Sequence, residues 1–300
     1  MKINNMNKNK INKYGDIYLC SFASDDLGLS KKRFTSQAIK FYRKENIKIY
    51  EIKDILSKLK IKIKNNLKKE NRAFGYGIWK PLIVLDFFDK IPNGSVMQYA
   101  DIGCHFNHYG LKRFKEYISI VQEYGSLTFN YNGNTLKKKN SHLKFQKYFE
   151  YQYSKKDLIS YLKIKNKSKI LTSPQIWSGS FFLKKNRKNK NLLINWIKIM
   201  KKNKLIDASI SKKKENKKFI ESRWDQSVFS ILAKIFLLKK LSASECEWAE
   251  NGNSRVWTHL KKYPILAKRD LKRNLMLRFF NRQKRTYNRY KHRIKKWRDG

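Results

Sequence analysis

The stretch Arg72-Ala73-Phe74-Gly75-Tyr76-Gly77-Ile78-Trp79-Lys80-Pro81 decides how this chain is read. An apolar run to Ile91 follows, then Pro92-Asn93-Gly94. Ser95-Val96-Met97-Gln98-Tyr99-Ala100-Asp101-Ile102-Gly103-Cys104-His105-Phe106-Asn107 comes next. Proline suits the first turn of a helix, where its missing N–H leaves no bond unmade. Pro81 therefore fits a helix start, and Leu82, Ile83, Val84, Leu85, Phe87 and Phe88 make that helix apolar on more than one face. A helix of that kind is buried. Pro92-Asn93-Gly94 is a turn signal, and the residues after it read as a buried strand ending at Asp101. In open α/β sheets, ligands bind beyond the carboxyl ends of strands. Asp101 is therefore a candidate active-site acid.

Working outward, Ile17–Ala23 reads as a first buried strand, followed by the loop Ser24–Gly28. Phe34, Ala38, Ile39 and Tyr42 recur at helical spacing over residues 30–44. Asn46–Tyr50 reads as a second strand, and residues 52–69 as a Lys-rich exposed helix. Strand, helix, strand, helix is the opening of a doubly wound α/β sheet. Residues 109–124 read as an amphipathic helix ended by Gly125, with Leu127–Phe129 a short strand after it. Gln175–Leu183 reads as a further strand, in which Gly179 points to close approach by a ligand or another strand. Residues 190–202 read as helical. Trp224, Val228, Ile231, Leu232 and Ile235 form one helix face, with Asp225 and Gln226 at its start. Between these elements, residues 145–163 carry Tyr148, Phe149, Tyr151, Tyr153 and Tyr161, aromatics suited to core packing or to an acceptor sugar.

The chain has 300 residues, 41% of them hydrophobic and 14% aromatic, enough for a sizeable core despite a formal net charge of +47. It holds no apolar run of the roughly 18–20 residues that span a bilayer, and its basic N-terminus lacks the apolar core of a secretory signal. Cys20, Cys104 and Cys246 form neither a disulfide framework nor a zinc pattern, which favours a reducing cytosol. The charge fits a polyanionic partner, or a composition in which Lys, Asn and Ile are abundant everywhere. In the tail, Lys268–Gly300, dense Lys and Arg accompany Leu271, Phe279, Phe280, Tyr287 and Trp297. A basic helix with bulky apolar residues suits an anionic membrane surface. The expected organisation is a frayed segment 1–14, a catalytic domain 15–265 and a basic amphipathic helix 266–300.

The segment Arg72–Asn107 resembles bacterial glycosyltransferases of the GT-A fold, nucleotide-sugar transferases found in surface-polysaccharide gene sets. Their wording is close to Arg-Gly-x-Gly-Tyr-Trp-x-Trp-Lys-Pro, a helix, then Tyr-x-Asp-x-Gly-x-x-x-Asn. Arg72, Gly75, Tyr76, Trp79, Lys80, Pro81, Tyr99, Asp101, Gly103 and Asn107 match, while Ala73 and Gly77 depart. The likeness extends to Tyr18–Ala38, Gln175–Asn186 and Glu221–Leu232, where Arg223-Trp224-Asp225-Gln226-Ser227 carries an acid followed by Gln at a helix start. It implies a Rossmann-like mixed sheet flanked by helices.

What the resemblance implies about chemistry is specific. Asp101 takes the place of the first acid of the Asp-x-Asp motif that touches ribose and holds Mn²⁺ or Mg²⁺. Gly103 takes the second acid's place and brings no ligand side chain. A metal would then be held by Asp101 with His105, or with a later residue such as His259; oxygen and imidazole ligands both suit Mn²⁺. Lys80 or Arg72 would pair with the diphosphate or orient Asp101. Ser21, Ala23 and Ser24 would approach base and ribose. Trp79, Gly103, Gly179 and Gln226 would line the donor site, and Asp225 would be the second acid. The implied activity moves a sugar from a nucleotide-diphosphate donor, UDP-linked by expectation, to a saccharide or lipid-linked acceptor. The implied place is the cytoplasm or the inner membrane face. The alternatives are a basic nucleic-acid-binding protein, for which no recognition module is present, and an inactive relative of the transferases.

Overall fold

The computed structural model describes residues 16–56, 73–133, 142–165, 168–268 and 283. The expected frayed segment 1–14, Arg72, residues 57–69 of the Lys-rich helix and almost all of the basic tail lie outside the described residues. The chain divides into two compact units, residues 1–268 and 269–300.

The first unit begins with β1 (Ile17–Phe22), α1 (Gly28–Ala38), β2 (Ile47–Tyr50) and α2 (Ile52–Leu56). Then come α3 (Ala73–Tyr76), α4 (Trp79–Lys90), β3 (Val96–Ala100) and β4 (His105–Phe106). α5 (Leu111–Tyr124) and β5 (Ser126–Asn130) follow. Three short helices, α6 (Glu150–Tyr153), α7 (Lys156–Tyr161) and α8 (Lys169–Thr172), precede β6 (Ser180–Lys184), α9 (Arg187–Met200) and α10 (Asp225–Ile235). β7 (Lys240–Ser242), β8 (Ala249–Asn251), β9 (Ser254–Val256) and β10 (Ile265–Leu266) close it.

Among the described residues, six strands form one mixed sheet in the order β2-β1-β3-β6-β5-β7. β1 runs parallel to β2 and β3, β6 is antiparallel to β3 and β5, and β7 runs parallel to β5. The result is the mixed α/β sheet flanked by helices that the sequence implied. Alternation along the strands feeds two cores. Cys20, Met97, Tyr99 and Phe181 face α4, α9 and α10, where they pack with Val84, Phe88, Trp196 and Phe229. Leu19, Val96, Phe182 and Leu127 face α1 and α5, where they pack with Phe34, Phe114, Tyr117 and Val121. Because both faces are covered, β3 is buried at every position and is apolar apart from its centre. Its one polar residue, Gln98, is satisfied by Tyr42 and by Ser180 Oγ at 2.8 Å.

Three boundaries differ from the expectation. The helix over 30–44 ends at Ala38, where tight backbone turns tuck Phe41 and Tyr42 under the sheet. The strand expected over Gln175–Leu183 is regular from Ser180 only. Gln175–Trp177 still bond to β5 and Tyr131 (Trp177 N to Phe129 O, 2.8 Å), but Ser178 and Gly179 leave the ladder so that Ser178 reaches other partners. The tail helix does not begin at residue 266, because Ile265 and Leu266 pair with Phe106 and His105 as β10 against β4.

Candidate active site

The parallel strands β1 and β3 deliver Ala23, Ser24 and Asp101 to one end of the sheet, and antiparallel β6 begins there with Ser180. α4 supplies Lys80 from its first turn, and α10 supplies Asp225 as its first residue. These elements bring together a charged cluster. Lys80 Nζ lies 2.8 Å from Asp225 Oδ2 and 3.2 Å from Asp101 Oδ1. Ser178 Oγ donates to Asp225 Oδ2 at 2.9 Å, and the Tyr99 hydroxyl donates to Asp101 Oδ1 at 2.7 Å. The ammonium also approaches the Ser178 carbonyl at 3.4 Å and the Tyr99 ring at 5.2 Å.

Exposure separates the three roles. The side chains of Lys80 and Asp225 are 6% and 10% exposed, whereas that of Asp101 is 39% exposed. Both of these contacts to Asp101 go to Oδ1. Burial pulls the Lys80 ammonium down, but the Asp101 and Asp225 carboxylates outweigh it and hold its pKa above the ordinary value. Burial, and then the Asp101 charge, push the Tyr99 phenol well up, so Tyr99 remains a donor to Asp101. Within this cluster the Lys80 ammonium faces two acidic side chains.

Local backbone strain surrounds the cluster. Gly75, Tyr76 and Gly77 have φ of 79°, 59° and 73°, and Trp224, directly before Asp225, has φ 49° and ψ −113°. The Tyr76 and Trp224 rings meet at 5.8 Å, so the strained entry to α4 packs on the strained entry to α10. Non-glycine residues held there are destabilised unless the surroundings impose them, and such residues gather at functional sites. Gly77 is needed twice over: its φ is left-handed, and a Cβ there would sit 2.9 Å from the Asp225 side chain.

The loop after Asp101 is clamped. Asp101 N donates to the Gly179 carbonyl and Cys104 N donates back to Asp101 O, each at 2.8 Å. From α1, the Arg33 guanidinium donates to the carbonyls of Cys104 (2.8 Å) and Ile102 (2.9 Å). Gln37, one turn on, accepts from Phe106 N at 3.1 Å. Gly103 lies within this clamped turn.

The other expected site residues fall in varied places. Ser21 is fully buried and spends its hydroxyl on the Ala100 carbonyl at 2.7 Å, tying β1 to β3. Ala23 is buried, while Ser24 Oγ donates to Asp26 Oδ1 at 2.5 Å. Trp79 lies in the core with its ring 4.2 Å from that of Phe22. Gly179 is close-packed, but by Trp177: a Cβ on it would meet that indole at 2.4 Å, so the space over Gly179 is filled from within the chain. Gln226 Nε2 donates to Gln175 Oε1 at 2.8 Å. Beside it Arg223 lies over the rings of Tyr148 (4.2 Å) and Tyr153 (3.8 Å), which gives those aromatics an internal partner.

The metal expectation named Asp101 and His105. His105 sits in β4, paired with Leu266, and His259 directs Nε2 to the Glu247 carbonyl at 3.0 Å. Among the described residues no group of three or more His, Cys, Asp or Glu side chains could hold a metal ion, and Gly103 adds no ligand atom. The positive charge between the two acids is that of Lys80.

Sequence reading missed Ser178, Arg33 and the packing role of Gly77. Ser178 was hidden inside an apparent strand. Arg33 and Gln37 carried a faint signal, a polar i,i+4 pair on a helix directly after the first strand.

No protein-family profile and no curated protein matches the sequence. Solved structures similar to this chain include the apo form of mouse xyloside xylosyltransferase 1, at 9% identity and a TM-score of 0.41. That match covers 77% of this chain and 87% of the other. Another is the apo structure of the bifunctional glycosyltransferase WbbM, at 11% identity and a TM-score of 0.41. The match covers 77% of this chain and spans 39% of the WbbM chain. Among the described residues no helix is long and apolar enough to cross a membrane.

Proposed function

We propose that this chain is a GT-A-type glycosyltransferase that moves a sugar from a nucleoside-diphosphate donor to a saccharide or lipid-linked saccharide acceptor. The observation that carries the reading is the bridging of Asp101 and Asp225 by the buried ammonium of Lys80 at the ligand-binding end of the sheet. The resemblance of Arg72–Asn107 to such enzymes draws on the residues that build this bridge, Lys80, Tyr99 and Asp101.

In the reaction, the bond from the sugar's anomeric carbon to the diphosphate oxygen breaks, and a bond from that carbon to the acceptor oxygen forms. The diphosphate leaves with the bonding electrons, and the proton of the acceptor hydroxyl passes to the departing diphosphate oxygen or to solvent. On this reading Asp101 offers Oδ2 to hydroxyls of the donor's ribose and sugar. Tyr99 and Lys80 hold its other oxygen, so the carboxylate is oriented before the donor arrives. Asp225, fixed by Ser178 and Lys80, supplies negative charge beside the reacting sugar. Lys80 acts by orienting both acids, since its ammonium is buried among them. Leaving-group stabilisation would then come from a further cationic side chain or from a divalent ion bound with the donor.

The test is direct. Purified protein is incubated with a panel of UDP-sugars and other nucleotide sugars, with and without Mn²⁺, and release of the nucleoside diphosphate is measured. Turnover that falls by at least about a hundredfold in Asp101→Ala and in Asp225→Ala is expected. Absence of donor binding and turnover under every condition would sink the enzyme reading. Full activity in both variants would sink the site assignment while leaving the activity standing.

A further inference from the structure

Between α9 and α10 the chain makes a long excursion that finishes at Trp224, directly before Asp225. Apart from a single helical turn at Asn203–Leu205 it is irregular, yet it is fastened along its length. The buried ammonium of Lys155 donates to the Lys204 carbonyl (2.7 Å), the Asp207 carboxylate (2.9 Å) and Ser209 Oγ (3.1 Å). The Asp157 carboxylate accepts from Lys212 N at 2.9 Å and from Lys213 N at 3.4 Å. Glu215 accepts from Lys156 N at 3.0 Å and from the Ser211 hydroxyl. Ile220 N donates to the Gln152 carbonyl at 2.8 Å, and Ser222 Oγ closes the loop onto the Ile206 carbonyl at 3.4 Å.

Ile210 is 59% exposed and Ile220 46% exposed. Lys212, Lys213, Lys214, Lys217 and Lys218, which lie between them in sequence, are all exposed. The contacts named above use backbone atoms or the side chains of Asp207, Ser209, Ser211, Glu215 and Ser222, and Lys212, Lys213, Lys214 and Lys218 face outward together with Ile210 and Ile220. Apolar groups interleaved with cations match a bilayer interface, where alkyl side chains enter the acyl boundary and ammonium groups meet lipid phosphates. A loop already ordered loses little further freedom on binding. Single-stranded nucleic acid would ask instead for exposed aromatic platforms. The one aromatic residue between Lys201 and Arg223, Phe219, is half-buried.

We propose that residues 207–221 dock this protein on an anionic bilayer surface, with Ile210 and Ile220 as the inserted groups and the lysines as headgroup ligands. The loop holds the Asp225 end of the molecule toward the lipid. The inference is independent of the transferase reading, because vesicle binding involves no turnover, and it places the contact in the first compact unit.

The experiment uses the full chain and co-sedimentation with phosphatidylcholine vesicles, with and without phosphatidylserine, near physiological ionic strength. Wild type should bind the anionic vesicles and not the neutral ones. Lys212→Glu/Lys213→Glu/Lys214→Glu should weaken binding by on the order of a hundredfold. Ile210→Ser/Ile220→Ser, which leaves the charge unchanged, should weaken it by about tenfold or more. Lys112→Glu/Lys115→Glu/Lys188→Glu, an equal charge change at exposed positions on α5 and α9, should stay within about threefold of wild type. Thermal melting checks that each variant is folded. Equal loss in this control, unchanged binding in the isoleucine variant, or no anionic-vesicle binding by wild type would each overturn the proposal. Loss of single-stranded RNA binding in the lysine variant with vesicle binding retained would overturn it in favour of a nucleic-acid surface.

Discussion

The Lys80 ammonium and the Asp225 carboxylate meet at 2.8 Å in a place that water barely reaches. One comes from the first turn of α4 and the other from the first residue of α10, so the pair locks the entries of two helices together. Because Lys80 also lies 3.2 Å from Asp101, the same ammonium couples the end of the central strand to both helices. A buried charge of this kind is tolerated only when it is paired and hydrogen-bonded.

Lys80→Met should therefore cost both stability and activity. Removing one partner of a buried pair leaves an uncompensated charge, at about 3–5 kcal/mol. Chemical denaturation should show a loss of that size. The Lys80→Met/Asp225→Asn double variant should recover part of the stability but none of the turnover. A double variant no more stable than Lys80→Met would show that the pairing energy lies elsewhere.

Gly77→Ala tests the close approach to Asp225. The left-handed backbone costs a non-glycine residue about 1–2 kcal/mol, and the new Cβ must displace a side chain 2.9 Å away. We expect a loss of about 2 kcal/mol in stability together with a fall in kcat. Gly94→Ala, whose φ of 78° is similar but whose surroundings are open, should carry the backbone cost alone and leave kcat unchanged.

Arg33→Ala should release the turn that follows Asp101. Hydrogen bonds to a charged group contribute about 1.5–3 kcal/mol each, and Arg33 makes two to backbone carbonyls of this turn. A fall in kcat of about tenfold to a hundredfold is expected from a misplaced Asp101. Arg33→Lys should restore part of it by reaching one carbonyl. An Arg33→Ala enzyme with wild-type kcat would remove the positioning role.

The pH dependence of stability should turn down on the alkaline side. Lys80 is held above its ordinary pKa, and Tyr42, Tyr99, Tyr117 and Tyr131 are pushed well up by burial. For each, the folded state keeps its proton longer than the unfolded chain. Their contribution is whole below the unfolded values of about 10 for Tyr and about 10.4 for Lys, and is lost as pH rises beyond them. Lys234, lowered by burial, works in the opposite sense below about pH 10.4. Tm followed against pH should fall steeply above about pH 10. In Tyr99→Phe the fall should be shallower by up to about 1.4 kcal/mol per pH unit. An unchanged slope would show that Tyr99 does not report this linkage.

Much was legible in the sequence because it depends on local rules. Pro81, the apolar face from Leu82 to Phe88 and the Pro92-Asn93-Gly94 turn announce α4, the turn and β3 through backbone sterics and hydrophobic patterning, and so they place Asp101 at a strand end. Asp225 at a helix start was legible for the same reason. What only the tertiary structure decided is which charges meet. Lys80 is one of 70 Lys and Arg residues; its motif marks it as a partner for the diphosphate or Asp101, but nothing local shows that it is buried between two acids. Ser178 leaves its ladder because Asp225 and Lys80 wait beside it, Gly77 is glycine because the Asp225 side chain fills the space over it, and Arg33 matters because α1 packs beside the turn after Asp101. Each is a contact between residues far apart in the chain. Periodicity and propensity record what a residue does to its neighbours in sequence, whereas desolvation and charge pairing are set by neighbours in space.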